Sequence, residues 1–260
     1  MTDWNGAEYA ELSGLQRTMI TEAMAGLTFR PTDHVLDIGC GDGFLTAAIA
    51  TLTPHGMVVG ADPSHRMVAT ATTATTVGDA RPRFVVADVR ALPFGESFDA
   101  AVSFNALHWV PEQDVALRQI AAVLTPGGSL VVQVVCAGAR PSLEDVTTDL
   151  CHGPNWAPWF EGFAAPFTHV DPDGYGSLAA TAGLVLDDLT VADRQWDFGS
   201  REALLRWSAM GSGAWTDRLP EEHRARFVAE QVDAYESVAG APGLFRFMQM
   251  RARLHRGQTG

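Results

Sequence analysis

The sequence predicts an α/β domain: a doubly wound, mainly parallel seven-stranded sheet with its last strand antiparallel, carrying aromatic-rich and helical cap insertions. Three observations predict it. Val35–Ile38 is an apolar run leading into Gly39-Cys40-Gly41-Asp42-Gly43 and then the helical stretch Phe44–Leu52. That order reads as a strand buried on both faces, a tight turn and a helix N-terminus. Apolar strands then alternate with helical patterns as far as residue 137, as βαβ units require. Finally, Asp37, Asp62 and Asp88 each end or nearly end a strand, the edge at which open α/β sheets bind ligands.

Length and composition bound the function. The 260 residues suit one α/β domain, with a core over about 28–137, 171–198 and 244–260 and cap elements over about 1–27, 138–170 and 199–243. Hydrophobic residues make up 47% and charged residues 19%, ordinary for a globular chain. No apolar run reaches membrane-span length and Met1–Ala10 lacks a signal-peptide core, so a cytoplasmic location without membrane insertion is expected. Cys40, Cys136 and Cys151 fit neither a disulfide framework nor a zinc pattern, and the eight histidines show no paired ligand spacing, so no metal is expected. A net charge of −13 argues against a nucleic-acid partner. Arg246, Arg251, Arg253 and Arg256 cluster, but read as a solvated strand face.

The glycine turn narrows the ligand. Glycine permits positive φ and close approach of a ligand to the backbone, while the N–H groups opening the next helix face that ligand. The dinucleotide fingerprint Gly-x-Gly-x-x-Gly/Ala fails here, because its frame puts Phe44 at the last small position. Together with Asp37, Asp62 and Asp88, the turn Gly39-x-Gly41-x-Gly43 resembles that of class I S-adenosylmethionine-dependent methyltransferases, whose sheet is Rossmann-like. Within them the chain is similar to small-molecule carboxyl methyltransferases of the trans-aconitate and juvenile hormone acid type. The resemblance is dense over about residues 4–135 and thin beyond.

Taken in order, residues 7–27 space Leu12, Leu15, Met19, Ala23 and Leu27 as an amphipathic helix. Trp4, Tyr9 and Gln16 sit in or beside it; the resemblance implies that this helix closes over the site and that Gln16 touches substrate or cofactor. Pro31-Thr32-Asp33 starts the first strand, and the second, Met57–Ala61, ends in Asp62. An acidic side chain there can accept hydrogen bonds from both ribose hydroxyls, a device dehydrogenases share. Asp62-Pro63-Ser64 also reads as a helix cap with proline in the first turn. The resemblance places Met67 against an adenine, Asp88, which closes the third strand Phe84–Ala87, on the adenine amino group, and the Val89 N–H on a ring nitrogen. Cys40 and Pro63 join the cofactor set by position.

The fourth strand, Phe98–Phe104, delivers Asn105-Ala106-Leu107-His108-Trp109 to the same edge. By resemblance Asn105 contacts the cofactor and His108 and Trp109 face the acceptor, with His108 the candidate base. Pro111 reads as the first residue of a helix through Leu124, and Thr125-Pro126-Gly127-Gly128 as a turn before the fifth strand, Ser129–Ala137. Residues 138–170 hold Trp156, Trp159, Phe160, Phe163 and Phe167 among prolines and glycines, as a lid would. Trp156 and Trp159 are candidate acceptor contacts, with core packing the alternative. Tyr175–Gly183 reads as a helix, Leu184–Asp193 as the sixth strand, Ser200–Ala239 as a helical insertion and Leu244–His255 as the seventh strand.

The resemblance implies S-adenosylmethionine as cofactor, S-adenosylhomocysteine as product and a small-molecule acceptor; oligomeric state stays open. Aromatic insertions point to a hydrophobic acceptor, carboxylate O-methylation being favoured slightly. A carboxylate is already anionic at neutral pH, whereas a hydroxyl needs a base in reach. The alternatives are methylation at carbon, nitrogen or a hydroxyl, or cofactor binding without transfer, as in a cyclase or regulator. An RNA methyltransferase is disfavoured by acidity, and a nicotinamide dehydrogenase by glycine spacing.

Overall fold

Strand β1 (His34–Ile38) lies inside the sheet, third from one edge, and its position sets the site. The computed structural model describes residues 14–74 and 82–258. Beside β1 lie β2 (Met57–Asp62), β3 (Arg83–Val86), β4 (Phe98–Phe104), β5 (Leu124–Val135), β6 (Leu184–Asp197) and β7 (Leu244–Arg256), in the spatial order β3-β2-β1-β4-β5-β7-β6. Strands β1 to β5 pair in parallel, and β7 pairs antiparallel with both β5 and β6. This is the Rossmann-like sheet that the sequence predicts. Its order reverses between β1 and β4, so their connections leave on opposite faces and open a crevice at the carboxyl edge.

Helices α1 (Gly14–Met24), α2 (Phe44–Leu52), α3 (His65–Ala74), α4 (Gln113–Val123), α5 (Leu143–Cys151), α6 (Pro172–Thr181), α7 (Arg201–Gly211), α8 (Gly213–Thr216) and α9 (Glu221–Ala239) complete the described elements. Neighbouring residues of β1 serve opposite layers, because side chains alternate along a strand. Leu36 joins Val59, Phe98 and Leu130 under Leu117 and Ile120 of α4 and Tyr175 of α6. Val35 joins Val58 and Val102 under Leu45 and Ile49 of α2 and Ala23 of α1. Each such side chain contributes about 1.5–3 kcal/mol by leaving water.

The cap grows from the carboxyl edge. Leu15 and Met19 of α1 pack with Leu143 and Val146 of α5, Leu204 of α7, Val232 and Tyr235 of α9, and Phe245 and Phe247 of β7. A second cap cluster gathers Cys151, Trp156, Phe160, Trp215, Leu219 and Phe227. Among the described residues no helix is long and apolar enough to cross a membrane.

Several local expectations need correction. Helix α4 starts at Gln113 behind Glu112, so Pro111 precedes it; the Pro111 carbonyl accepts from the Gln113 N–H at 3.0 Å. Leu124 already pairs with Phe98, and residues 125–128 bulge before pairing resumes at Ala100 and Ser129, with Gly127 at φ +77°. Strand β6 continues four residues past Asp193, because β7 stays paired with it as far as Leu244. The β7 arginines are not simply solvated: Arg251 and Arg253 donate to the Ala23 and Gly26 carbonyls at 3.0 and 2.7 Å. They tie down the C-terminal end of α1, where cations complement the helix dipole. Trp4, Tyr9 and the start of the predicted first helix lie outside the described residues.

Candidate active site

The turn after β1 is held by the neighbouring strand. The Gly39 and Cys40 N–H groups donate to the Ala61 carbonyl at 2.8 and 3.1 Å, and Gly43 N–H donates to Cys40 O at 3.0 Å. All three glycines have positive φ, at +72°, +55° and +82°. Their surroundings differ. A Cβ on Gly39 would come within 2.1 Å of the Ala106 Cβ, and one on Gly43 within 2.9 Å of Ala71 and Phe84. One on Gly41 would meet nothing within 4 Å, which leaves its backbone open to a ligand.

Asp62 stands opposite Gly41. Its Oδ2 accepts from the Gly41 N–H at 3.0 Å and its Oδ1 from the Ser64 N–H at 2.9 Å, with the side chain buried. The cap of α3 is Ser64, whose Oγ accepts from the Met67 N–H at 3.2 Å. The helix therefore begins after Pro63, and Asp62 is not its cap. Asp88 accepts from the Arg90 N–H and guanidinium, which holds its carboxyl below the usual range. Asn105 has φ +56°, unusual for a residue with a Cβ, and both polar atoms of its buried amide lack a partner among the described residues.

These residues border a cavity of about 240 Å³. Gly39, Gly41, Asp62, Pro63, Met67, Asp88, Val89 and Asn105 line it together with His108, Trp109, Glu144, Trp207, Ser208, Trp215, Phe245 and Phe247. The remaining expected cofactor residues lie behind the turn. Asp37 and Cys40 border a separate recess of about 40 Å³ with Arg17, Asp42 and Phe44, and Gly43 packs against α3 and β3. Asp37 accepts from Thr46 Oγ1 at 2.6 Å, and burial pushes its carboxyl up to about 7. Burial, with Asp37 and Asp62 nearby, also raises the Cys40 thiol far above its ordinary range.

The expected acceptor residues separate in the structure. His108 and Trp109 border the cavity on a short 3₁₀ turn. Burial, helped by the neighbouring His169 ring, pushes the His108 imidazole down to about 3. So weak a base is ill matched to removing a proton near neutral pH. Trp156 is fully buried in the cap, where its Nε1–H donates to Glu230 at 2.7 Å and its ring meets Phe227 edge-on. Trp159 sits on the outer surface beside His223. Neither borders the cavity; Trp156 and Phe160 pack on Phe227 of α9, and Phe163 and Phe167 on Trp215 of α8. Gln16 falls within α1, but its side chain lies outside the described residues.

Sequence reasoning gave no site role to Glu144, Ser208, Phe245 or Phe247, and placed Trp207 and Trp215 only in a helical insertion. The available signal was the polar or aromatic residue on an otherwise apolar helix face. The Nε1 atoms of Trp207 and Trp215, Ser208 Oγ and His108 Nδ1 are all buried and unpartnered among the described residues. Buried polar atoms are normally paired, so four such groups around one cavity mark a binding place. Among the described residues no group of three histidine, cysteine or acidic side chains could hold a metal ion.

Comparison with known proteins agrees with this geometry. A family profile described as "Methyltransferase domain" matches residues 35–128, the span from β1 through the bulge of β5. The trans-aconitate 2-methyltransferase of Paracidovorax citrulli is 30% identical over 241 residues, covering 91% of this chain and 88% of that one. Its namesake in Variovorax paradoxus is 28% identical over 240 residues, covering 88% of each. The solved YcgJ protein of Bacillus subtilis aligns with a TM-score of 0.67 at 18% identity, covering 94% of this chain and 100% of that one. The chain belongs to the class I S-adenosylmethionine-dependent methyltransferases, in the group that resembles the trans-aconitate 2-methyltransferases. It is a methyltransferase, and S-adenosylmethionine is its cofactor.

The residues at the rim fit that cofactor. Gly41 leaves open backbone, the Asn105 amide lacks a partner among the described residues, and the Asp62 carboxylate is held in place by two backbone N–H groups.

Proposed function

We propose that this methyltransferase acts on an oxygen of a small, predominantly apolar molecule. The observation that carries the reading is that Gly41 and Asp62 border the same cavity as Trp109, Trp207, Trp215, Phe245 and Phe247. Gly39, Gly41, Asp62, Pro63, Met67, Asp88, Val89 and Asn105 would hold the cofactor, while Asp37, Cys40 and Gly43 shape the turn from behind. When bound, S-adenosylmethionine supplies a methyl group on positive sulfur, already activated for displacement. The protein then has to align the acceptor and keep water out, and alignment alone supplies roughly 7–11 kcal/mol. His108 and Trp109 would orient the acceptor, with Gln16 joining them from α1. In this reading the chain divides into a sheet core and a cap drawn from residues 1–27, 138–170 and 199–243.

Two oxygen acceptors compete. A carboxylate is supported by the trans-aconitate 2-methyltransferases among the relatives, and needs no base. A hydroxyl is supported by the walls: among the described residues the cavity is bordered by Asp62, Asp88 and Glu144 but by no arginine or lysine. A polar tricarboxylate would lack a cationic partner there, which disfavours trans-aconitate itself.

Incubating the protein with methyl-labelled S-adenosylmethionine and a panel of apolar acids, phenols and amines tests the reading. Label recovered on an apolar oxygen acceptor is the expected result. Transfer confined to amines, or to polar polyacids, would contradict it.

A further inference from the structure

We propose that Glu144 selects the acceptor by charge and takes its proton, so that the acceptor is a neutral hydroxyl on an apolar molecule and not a carboxylate. This rests on the methyl-transfer reading above.

Glu144 is placed rigidly. It lies in the first turn of α5, whose start is fixed by a reciprocal cap: Ser142 Oγ accepts from the Asp145 N–H at 3.0 Å, and Asp145 Oδ2 from the Ser142 N–H at 2.9 Å. The Glu144 side chain is only 12% exposed, borders the cavity and faces His169 Nε2 at 3.9 Å, and its carboxylate accepts no hydrogen bond among the described residues. The other acidic wall residues, Asp62 and Asp88, are in the proposed reading taken by the cofactor.

An anionic acceptor beside Glu144 would meet a like charge in a poorly solvated space, with no arginine or lysine among the described wall residues to offset it. A hydroxyl answers both needs of the wall. It donates to the carboxylate, and its lone pairs accept from an unpartnered donor such as the Trp215 or Trp207 indole N–H.

The transfer then balances. The hydroxyl oxygen bonds to the methyl carbon as the carbon–sulfur bond breaks, the bonding pair stays on sulfur, and the O–H proton passes to the Glu144 carboxylate. His169, whose Nε2 is 3.9 Å from Glu144 and whose Nδ1 is 3.4 Å from the half-exposed Asp145 carboxylate, marks the direction in which that proton would leave once the first gap closes.

The test uses the full chain saturated with S-adenosylhomocysteine, with 2-naphthol and 2-naphthoate as probes titrated against tryptophan fluorescence. The wild type is expected to bind 2-naphthol about ten-fold or more tightly than 2-naphthoate. Glu144→Gln, with its affinity for S-adenosylhomocysteine unchanged, is expected to shrink that preference to about two-fold. With labelled S-adenosylmethionine the same variant should form 2-methoxynaphthalene about a hundred-fold more slowly. Equal or tighter binding of 2-naphthoate by the wild type would overturn the proposal, as would a Glu144→Gln variant with the same preference. A preference lost in the variant, with no transfer to any acid, phenol or amine, would uphold charge selection and contradict the acceptor reading instead.

Discussion

The Asp62 carboxylate accepts a hydrogen bond from the Gly41 amide at 3.0 Å, joining the end of β2 to the turn after β1 across 21 residues. A molecule lying over the open Gly41 backbone is within reach of the same carboxylate, whose other oxygen is steadied by the Ser64 N–H.

Glycine substitutions in this turn should separate folding from binding. Gly39→Ala brings a Cβ to 2.1 Å from the Ala106 Cβ at φ +72°, and should destabilise the fold by about 2–4 kcal/mol through overlap and left-handed strain. Gly41→Ala has free space and should cost only about 1–2 kcal/mol, while sharply weakening cofactor binding. Urea unfolding and calorimetry on both variants check the contrast; equal stability losses would refute it.

Asp37→Asn should stabilise the protein at alkaline pH. The unfolded carboxyl ionises near 3.8, the folded one only near 7. Between those values the folded chain holds the extra proton, so stability is lost as pH rises through the interval. Urea unfolding should find the variant ahead of wild type by on the order of 2–4 kcal/mol at pH 8 and level with it near pH 3.5. A gain independent of pH would contradict this.

The His108 ring should stay neutral throughout the working range. Its folded pKa is about 3 against an ordinary 6.5, so the unfolded chain binds the extra proton between those values. Stability therefore falls as pH drops through that window. Nitrogen-15 NMR of the histidine rings, assigned with a His108→Asn control, should show no His108 midpoint between pH 5 and 8. A midpoint near 6.5 would contradict the burial argument.

Trp156 should matter to stability and not to acceptor affinity. Trp156→Phe removes the Nε1–H bond to Glu230 and should cost about 1–3 kcal/mol, with KM for any methyl acceptor unchanged within about two-fold. A raised KM at unchanged stability would restore Trp156 to the acceptor site.

The sheet was legible because its local signals agree: β4 and α2 form over the residues their patterns indicate, and Asp62, Asp88 and Asn105 reach one rim. Deviations arose where tertiary pairing overrides local pattern. Leu124 leaves its helix to pair with Phe98, and Arg251 and Arg253 spend their charge on α1 carbonyls. The cap was far less readable. Whether an aromatic faces a cavity or a neighbouring helix depends on packing between distant segments, so Trp156 and Trp159 carry the same local signal as Trp207 and Trp215. Glu144 was hidden for a related reason: in sequence it is an ordinary acidic residue in a helix's first turn, favourable there for the dipole alone.

The grip of Asp62 on the cofactor is the central claim, and calorimetry with S-adenosylhomocysteine on wild type and Asp62→Ala tests it most directly. Hydrogen bonds to a charged group contribute about 1.5–3 kcal/mol each, so losing two should weaken binding by about a hundred-fold or more. Unchanged affinity in a folded variant would contradict the account.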